Sequence, residues 1–280
     1  VRQLPEQGGL VLPVMMEMVL DVEGEWQDIE ERRFHSSAQG ELDNTRKSGY
    51  DYEVSCNDAD FEMFYHDMYV PNTKARHGDQ AVIMPIQEAY QYFRHGILFL
   101  VTRDGQRVSG SIFHVGRDVV RFIIVGVMGG DRQLMKEGAV GALNCLRIQW
   151  ANKEGYRAVD FGYCRPFVGG LFRYKRKWGT AARVPSDLKQ RIWMKLQHNT
   201  PAVYQFMRDN PCIFISEEGE PCVLIVTETA EAAEKENKAK LRKKFATPGL
   251  RELLIRSVDE LSEMPATGMT KLNPATSIVF

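Results

Sequence analysis

The 280-residue sequence predicts a mixed α/β fold, and three observations predict it. Apolar residues recur at helical spacing in separate stretches, three strand-like runs follow one another across tight-turn residues, and a long helical stretch then leads into one more short strand. Hydrophobic residues are 44% and charged ones 26%, the balance of a globular chain with a sizeable core, which excludes wholesale disorder, collagen and coiled coil. Lys and Arg number 36 against 37 Asp and Glu, a net charge of -1. No global field therefore commits the chain to nucleic acid or to a membrane surface, and a basic site has to be local.

Leu10 to Leu20 is apolar but short, contains Glu17 and lacks a basic leader, so it is read as neither membrane span nor signal peptide; Val14 to Leu20 is expected as a buried strand. Trp26 to Phe34 reads as a charged helix with Trp26, Ile29 and Phe34 inward. Asn57 and Asp58 are N-cap residues ahead of Phe61, Phe64, Tyr65 and Met68, which share one helical face. Pro71 to Gln80 reads as a polar loop. Pro85 opens a second helix carrying Ile86, Ala89, Tyr90 and Phe93, and Gly96 closes it.

The period then changes. Ile97 to Thr102, Val108 to Val115 and Val119 to Met128 are strands joined by Asp104-Gly105 and Gly116-Arg117-Asp118, an antiparallel meander. Ala139, Ala142, Leu143, Leu146 and Trp150 return to helical spacing, Gly155 caps them, and Ala158 to Phe161 is a short strand. Ile192, Met194 and Leu196 alternate with Arg191, Trp193 and Lys195 as a half-buried strand. Thr200-Pro201 begins a helix with Val203, Phe206 and Met207 inward, ending near Asn210-Pro211, and Cys212 to Ser216 with Cys222 to Thr227 form a hairpin. Residues 11–227 are expected as one domain. Beyond it, 228–280 is expected as a solvated helix, Thr229 to Phe245, and a loosely ordered tail, Met264 to Phe280.

Five cysteines, odd in number and without CxxC spacing, fit a reduced, cytoplasmic setting without structural zinc. His66 and His77, with Asp67 and Asp79, lie too far apart along a loop for ligand geometry, so no metal is expected. Cys164, beside Arg165, is either a nucleophile or, the preferred reading, a buried structural thiol.

The strongest local anomaly is Arg165 to Lys195. Nine basic residues (Arg165, Arg173, Lys175, Arg176, Lys177, Arg183, Lys189, Arg191, Lys195) face one acid, Asp187. Gly169-Gly170 precedes the cluster, and Phe172, Tyr174 and Trp178 are interleaved with it. The pattern suits phosphate, on coenzyme A, on a nucleotide-linked precursor or on RNA; the plainer reading is a solvated basic face.

Gly155-Tyr156-Arg157-Ala158-Val159-Asp160-Phe161-Gly162, followed by Gly169-Gly170-Leu171-Phe172-Arg173-Tyr174-Lys175-Arg176-Lys177-Trp178-Gly179, resembles the closing signature of FemAB-like and CelD-like proteins, a branch of the GNAT acyltransferase superfamily. The meander, helix and strand also follow the GNAT order. The resemblance covers Leu98 to Thr180 well and Tyr50 to Gly96 more loosely, and Asn44-Thr45-Arg46-Lys47 is similar to the family's upstream basic segment. FemAB enzymes are usually tandem duplications; the length here accommodates one unit, as in the single-unit CelD-like branch.

The resemblance implies a GNAT-like mixed sheet and acyl transfer to an amine, with an acyl-CoA or an aminoacyl-tRNA as donor. Such a reaction needs an oxyanion donor, a proton acceptor and a proton source. Lys175 matches the motif lysine and either stabilises the developing charge or clamps a phosphate. Tyr174 or Tyr163 supplies the proton or packs in the core. Asp160 orients the amine or, the preferred reading, forms a structural ion pair, with Arg173 as partner. Gly129, Gly130, Arg132, Arg173 and Lys177 are the candidates for binding a phosphate-bearing cofactor such as acetyl-CoA. Gly129-Gly130-Asp131-Arg132-Gln133, however, departs from the R/Q-x-x-G-x-G/A turn of CoA users, and the two glycines also fit a plain tight turn. The expected activity is N-acyl transfer to an amine of a cell-envelope, polysaccharide or peptide precursor. The rival is a non-catalytic GNAT-like module that binds an anionic polymer or a protein partner.

Overall fold

The computed structural model describes residues 9–196, 198, 200–216, 218–229, 231–232, 237–257 and 277–279. In chain order the elements begin with β1 (Leu10–Pro13), β2 (Met16–Asp21), α1 (Trp26–Arg33), α2 (Ser36–Lys47), β3 (Tyr50–Ser55), α3 (Asp58–Met63), a π-helical turn (Phe64–Tyr69) and α4 (Val70–His77). There follow α5 (Ile86–Arg94), β4 (Gly96–Arg103), β5 (Gln106–Val115), β6 (Val119–Val127), α6 (Arg132–Lys136), α7 (Ala139–Lys153) and β7 (Ala158–Cys164). The remainder is α8 (Gly170–Arg176), β8 (Ala181–Arg183), β9 (Arg191–Met194), α9 (Pro201–Asp209), β10 (Cys212–Ile215), β11 (Pro221–Thr227), α10 (Lys238–Phe245), β12 (Glu252–Ser257) and β13 (Ser277–Val279). The chain divides into two units, Val19–Gly162 and the combination of Val1–Met18 with Tyr163–Phe280.

In the unit Val19–Gly162 the strands lie in the order β3-β4-β5-β6-β7, with β2 beside β7. The first four are antiparallel and β7 joins β6 in parallel through α7, so the sheet is mixed and has the expected GNAT-like element order. One set of side chains, Leu98, Leu100, Ile112 and Ile124, packs with Phe61, Phe64, Met68 and Phe93. Phe99 and Phe113 instead meet Trp150 of α7, at ring-centroid distances of 6.2 and 5.7 Å. Each such buried aromatic contributes about 1.5–3 kcal/mol by leaving water.

The helix opened by Asn57 forms as its cap dictates, the Asn57 side chain accepting from Ala59 N at 2.8 Å. The loop expected over Pro71 to Gln80 is instead helical throughout, as α4 to His77 and then a 3-10 turn over Gly78–Gln80. In the π turn Val70 N bonds back to Tyr65 O, five residues earlier, and Pro71 falls in the next first turn, where a missing N–H is least disruptive. Its polarity misled because Lys74, Arg76 and His77 are surface residues of that helix. Helix α2 was not expected, since it buries only Ala38, Leu42 and Thr45.

In the other unit β1 pairs antiparallel with β9, Leu10 opposite Met194. A second sheet runs β10-β11-β12-β13. Its hairpin β10–β11 was expected; its strand β12, parallel to β11, was not. Leu12, Met207, Phe214, Leu224, Val226 and Leu254 pack as one core. The break placed after Thr227 therefore runs through a sheet, with Leu253, Leu254 and Ile255 buried on its far side. Of the helix expected over Thr229 to Phe245, 230 and 233–236 lie outside the described residues, and α10 starts at Lys238 with Asn237 capping Lys240 N. Of the tail Met264 to Phe280, only 277–279 are described, and they form β13 against β12.

Candidate functional site

In the unit Val19–Gly162 the notable geometry is where β6 and β7 part. Their pairing runs Val119↔Ala158, Val120↔Val159, Arg121↔Asp160, and among the described residues it ends there. Two features of the chain explain the fork. Ile112 faces Ile124 while Phe113 faces Phe122, so Ile123 is one extra residue on β6, a bulge that bends the strand. On β7, Gly162 has φ 73, a turn that a side chain would strain, and its N–H donates to Asp160 Oδ1 at 2.6 Å. Asp160 Oδ2 accepts from Arg121 Nε. The partner of Asp160 is thus Arg121 and not the expected Arg173, whose Nε donates to Val168 O at 3.2 Å.

Beneath the fork Phe122 and Phe161 meet edge to face at 4.9 Å, and the buried Arg147 guanidinium lies 3.4 Å from the Phe122 ring centroid. Arg147 also donates to Ser111 Oγ at 3.2 Å and to Asn144 Oδ1. Sequence reasoning missed Arg147, because on a helix of small and apolar residues it reads as an exposed charge.

In the other unit the structure makes two pairs of these candidates, Lys175 with Tyr163 and Lys177 with Tyr174. Lys175 is 7% exposed and its Nζ donates to Tyr163 O at 2.9 Å. The Tyr163 hydroxyl donates to Asp187 Oδ2 at 2.7 Å, so the lone acid of the basic segment is a partner of a candidate proton donor. The Lys177 ammonium lies 4.4 Å from the Tyr174 ring centroid and 5.2 Å from that of Trp178. Cys164 is buried, and burial pushes its thiol up to about 11 against the opposing pull of Lys175, so the structural reading of this cysteine holds.

Gly129 and Gly130 lie in the turn between β6 and α6, and Arg132 is the first residue of α6. A pyrophosphate there would need free N–H groups at a helix start. Gly130 is packed instead: a Cβ on it would lie 2.6 Å from Pro71 O. The Asp131 carboxylate takes Gln133 N at 2.6 Å. Ahead of α7, Asn44 Nδ2 and the Tyr50 hydroxyl both donate to Glu137 O, and Arg103 pairs with the Glu137 carboxylate at 2.7 Å. Glu41 Oε2 lies 2.9 Å from where a Gly141 Cβ would stand. With Gly130 packed and the Gln133 N–H taken by Asp131, the turn does not offer the free N–H groups that coenzyme A would need, and no step is routed through it. Among the described residues no cluster of three or more His, Cys, Asp or Glu could hold a metal ion, and no helix is long and apolar enough to cross a membrane.

The class that this topology defines is a mixed α/β, GNAT-like fold. No protein-family model matches the chain, and no curated protein matches it. Among solved structures it is similar to FemX, at 14% identity and a TM-score of 0.49 over 69% of this chain and 63% of that one. It is similar to the L-PGS of Bacillus licheniformis, at 12% identity and a TM-score of 0.46 over 70% and 64%. A GCN5-related N-acetyltransferase from Kribbella flavida matches at 15% and 0.31 over 63% and 57%. The chain spans about six tenths of the length of these structures.

Proposed function

We propose that the chain is an N-acyltransferase that moves an acyl or aminoacyl group onto an amine of a cell-envelope, polysaccharide or peptide precursor. The observation that carries this reading is the Lys175 ammonium, nearly buried and fixed on the Tyr163 carbonyl at 2.9 Å. Burying an ammonium is costly, and a preorganised cation is what a developing oxyanion requires. In the reaction the amine nitrogen attacks the donor carbonyl, the bond to the leaving oxygen or sulfur breaks, the amine loses a proton and the leaving group gains one. Lys175 stabilises the oxyanion. Tyr163, its hydroxyl held by Asp187, carries the proton, and Tyr174 is the second candidate for that role. Asp160 is assigned to the fork, through Arg121, rather than to the amine.

The test is transfer of radiolabel from acetyl-CoA and, separately, from an aminoacyl-tRNA pool onto amino-sugar and peptide amines. Lys175→Met is expected to lower the rate by about 10²-fold or more with the fold intact. The rival, an anionic-polymer binder without turnover, predicts no transfer and a gradual loss of affinity as individual charges are removed.

A further inference from the structure

We propose that Asp187 is a positioning residue that turns Tyr163 into the proton acceptor for the attacking amine. The inference rests on the acyl-transfer reading and adds to it the direction in which the proton moves. Tyr163 is held at both of its oxygens: its carbonyl accepts from Lys175 Nζ at 2.9 Å, and its hydroxyl donates to Asp187 Oδ2 at 2.7 Å. A tyrosine hydroxyl has one proton to give and lone pairs that accept. With that proton committed to the carboxylate, the oxygen presents lone pairs to a group that approaches it, so the side chain is set to take a proton and not to give one.

The loop that carries Asp187 is fastened on both sides. Before it, Ala182 N of β8 donates to Pro248 O at 2.7 Å, and Pro185 is buried. After it, Arg191 Nη1 donates to Leu188 O and to Gln190 O, each at 3.0 Å, and β9 continues as the antiparallel partner of β1. Anchored ends lower the entropy lost in keeping the carboxylate on the phenol. Between Arg165 and Lys195, Asp187 is the one acid. Lys175 is turned to the Tyr163 carbonyl and Arg191 to the Leu188 and Gln190 carbonyls, Arg183 and Lys189 are exposed cations, and Cys164 is a buried thiol pushed up to about 11. None of these accepts a proton near neutral pH. Asp160, three residues before Tyr163, is taken by Arg121 and by the Gly162 amide. Asp187 is therefore the carboxylate that serves Tyr163.

In the step, the amine nitrogen forms its bond to the donor carbonyl carbon while Lys175 stabilises the oxyanion. The proton that the nitrogen sheds passes to the Tyr163 hydroxyl oxygen as the phenol's own proton passes to Asp187. The bond to the leaving oxygen or sulfur then breaks, and the leaving group takes a proton from water. Asp187 is exposed and returns its proton to water, so the protons balance without a further reactant.

The experiment compares the full chain with Asp187→Asn, Asp187→Glu, Tyr163→Phe and the Asn/Phe double variant in radiolabel transfer from the donor that the parent uses. Asp187→Asn keeps an acceptor for the hydroxyl but cannot take its proton, so kcat is expected to fall about 10²-fold with KM unchanged. Added formate should restore part of that rate, which a merely structural role would not allow, and Asp187→Glu should retain more of it than Asp187→Asn. The double variant should be no slower than Tyr163→Phe. Ultraviolet titration reads the pair without turnover: in Asp187→Asn, Tyr163 should ionise at a lower pH than in the parent, because a neighbouring negative charge opposes the phenolate, and Tyr163→Phe identifies its signal. A parent that transfers while Asp187→Asn keeps its full rate, a loss confined to KM, multiplying losses in the double variant, or a Tyr163 titration that Asp187→Asn does not move would each overturn the relay alone. A parent that transfers no acyl group while the titration moves as expected would overturn the acyl-transfer reading, and the relay with it.

Discussion

Arg121 and Asp160 form an ion pair at the last position where β6 and β7 lie side by side. The carboxylate is 2% exposed and holds two donors, the Arg121 guanidinium across the pair and the Gly162 amide along its own strand. One side chain therefore bonds to both strands where they diverge, which ties a sequence motif to the shape of the sheet.

Removing one member should expose that dependence. Arg121→Met leaves a buried carboxylate short of a charged donor and is expected to cost about 2 kcal/mol, the low side for a buried pair because Arg121 is itself part-exposed. Urea unfolding measures it. In a double-mutant cycle with Asp160→Asn, the double variant should lose clearly less than the sum of the singles; strict additivity would mean that the pair does not couple.

Most of the first unit was legible because its signals are local and strongly periodic: Asn57 as a cap, Phe61 with Phe64 and Met68, Asp104-Gly105, and the α7 stripe ending at Gly155. Helix α2 and strand β12 were not. The first relies on tertiary contacts of Ala38 and Leu42, and the second is a short apolar run after a charged stretch, whose place comes from the long-range pairing of Leu253 with Val223. At the candidate site, Lys175 was proposed from a motif and Tyr163 as a possible proton source, but that Asp187 partners Tyr163 and Arg121 partners Asp160 depends on strand register and loop path, which no spacing rule supplies.

The glycine pair before α6 offers a direct contrast. Both residues have left-handed φ, 61 and 63. A Cβ on Gly129 meets nothing within 4 Å, whereas one on Gly130 meets the Pro71 carbonyl. Gly129→Ala should cost about 1 kcal/mol, the backbone penalty alone, and Gly130→Ala clearly more. Equal costs by thermal unfolding would contradict the packing assigned to Gly130.

Asp60 sets part of the acid limb of stability. Hydrogen bonds from Ser55 and then Arg107 hold its carboxyl below the ordinary 3.8. A depressed carboxylate stabilises the fold above the unfolded pKa, and that contribution disappears as pH falls through the lower folded value. Asp60→Asn should therefore be less stable than the parent at pH 7, with the gap closing below about pH 4. A gap that stayed constant down to pH 2.5 would remove Asp60 from the account.

Thiol chemistry should single out Cys56, which is exposed while Cys145, Cys164, Cys212 and Cys222 are buried. Burial pushes Cys164 up to about 11 and Cys212 and Cys222 to about 12. At pH 8 a disulfide reagent should titrate one thiol quickly and the other four only after denaturation, and Cys56→Ser should abolish the fast phase. A fast phase surviving in that variant would show that a buried thiol is reachable in the native state.

Arg176 carries the last test, because it acts on α10 from α8 through carbonyl oxygens at the helix end. Those carbonyls lack intrahelical donors, so the guanidinium supplies bonds that water would otherwise make, and its burial lowers its pKa without discharging it. Arg176→Leu keeps much of the bulk and removes the donors. Amide hydrogen exchange in 238–245 should then quicken by about tenfold, the equivalent of about 1.4 kcal/mol of local stability, while β12 keeps its protection through its pairing with β11. Arg176→Lys should restore part of the effect, since an ammonium also donates to carbonyls but from a shorter side chain. Exchange that quickened equally in β12 would mean that the substitution loosens the whole unit, and the bond from Arg176 would then not be what seats α10.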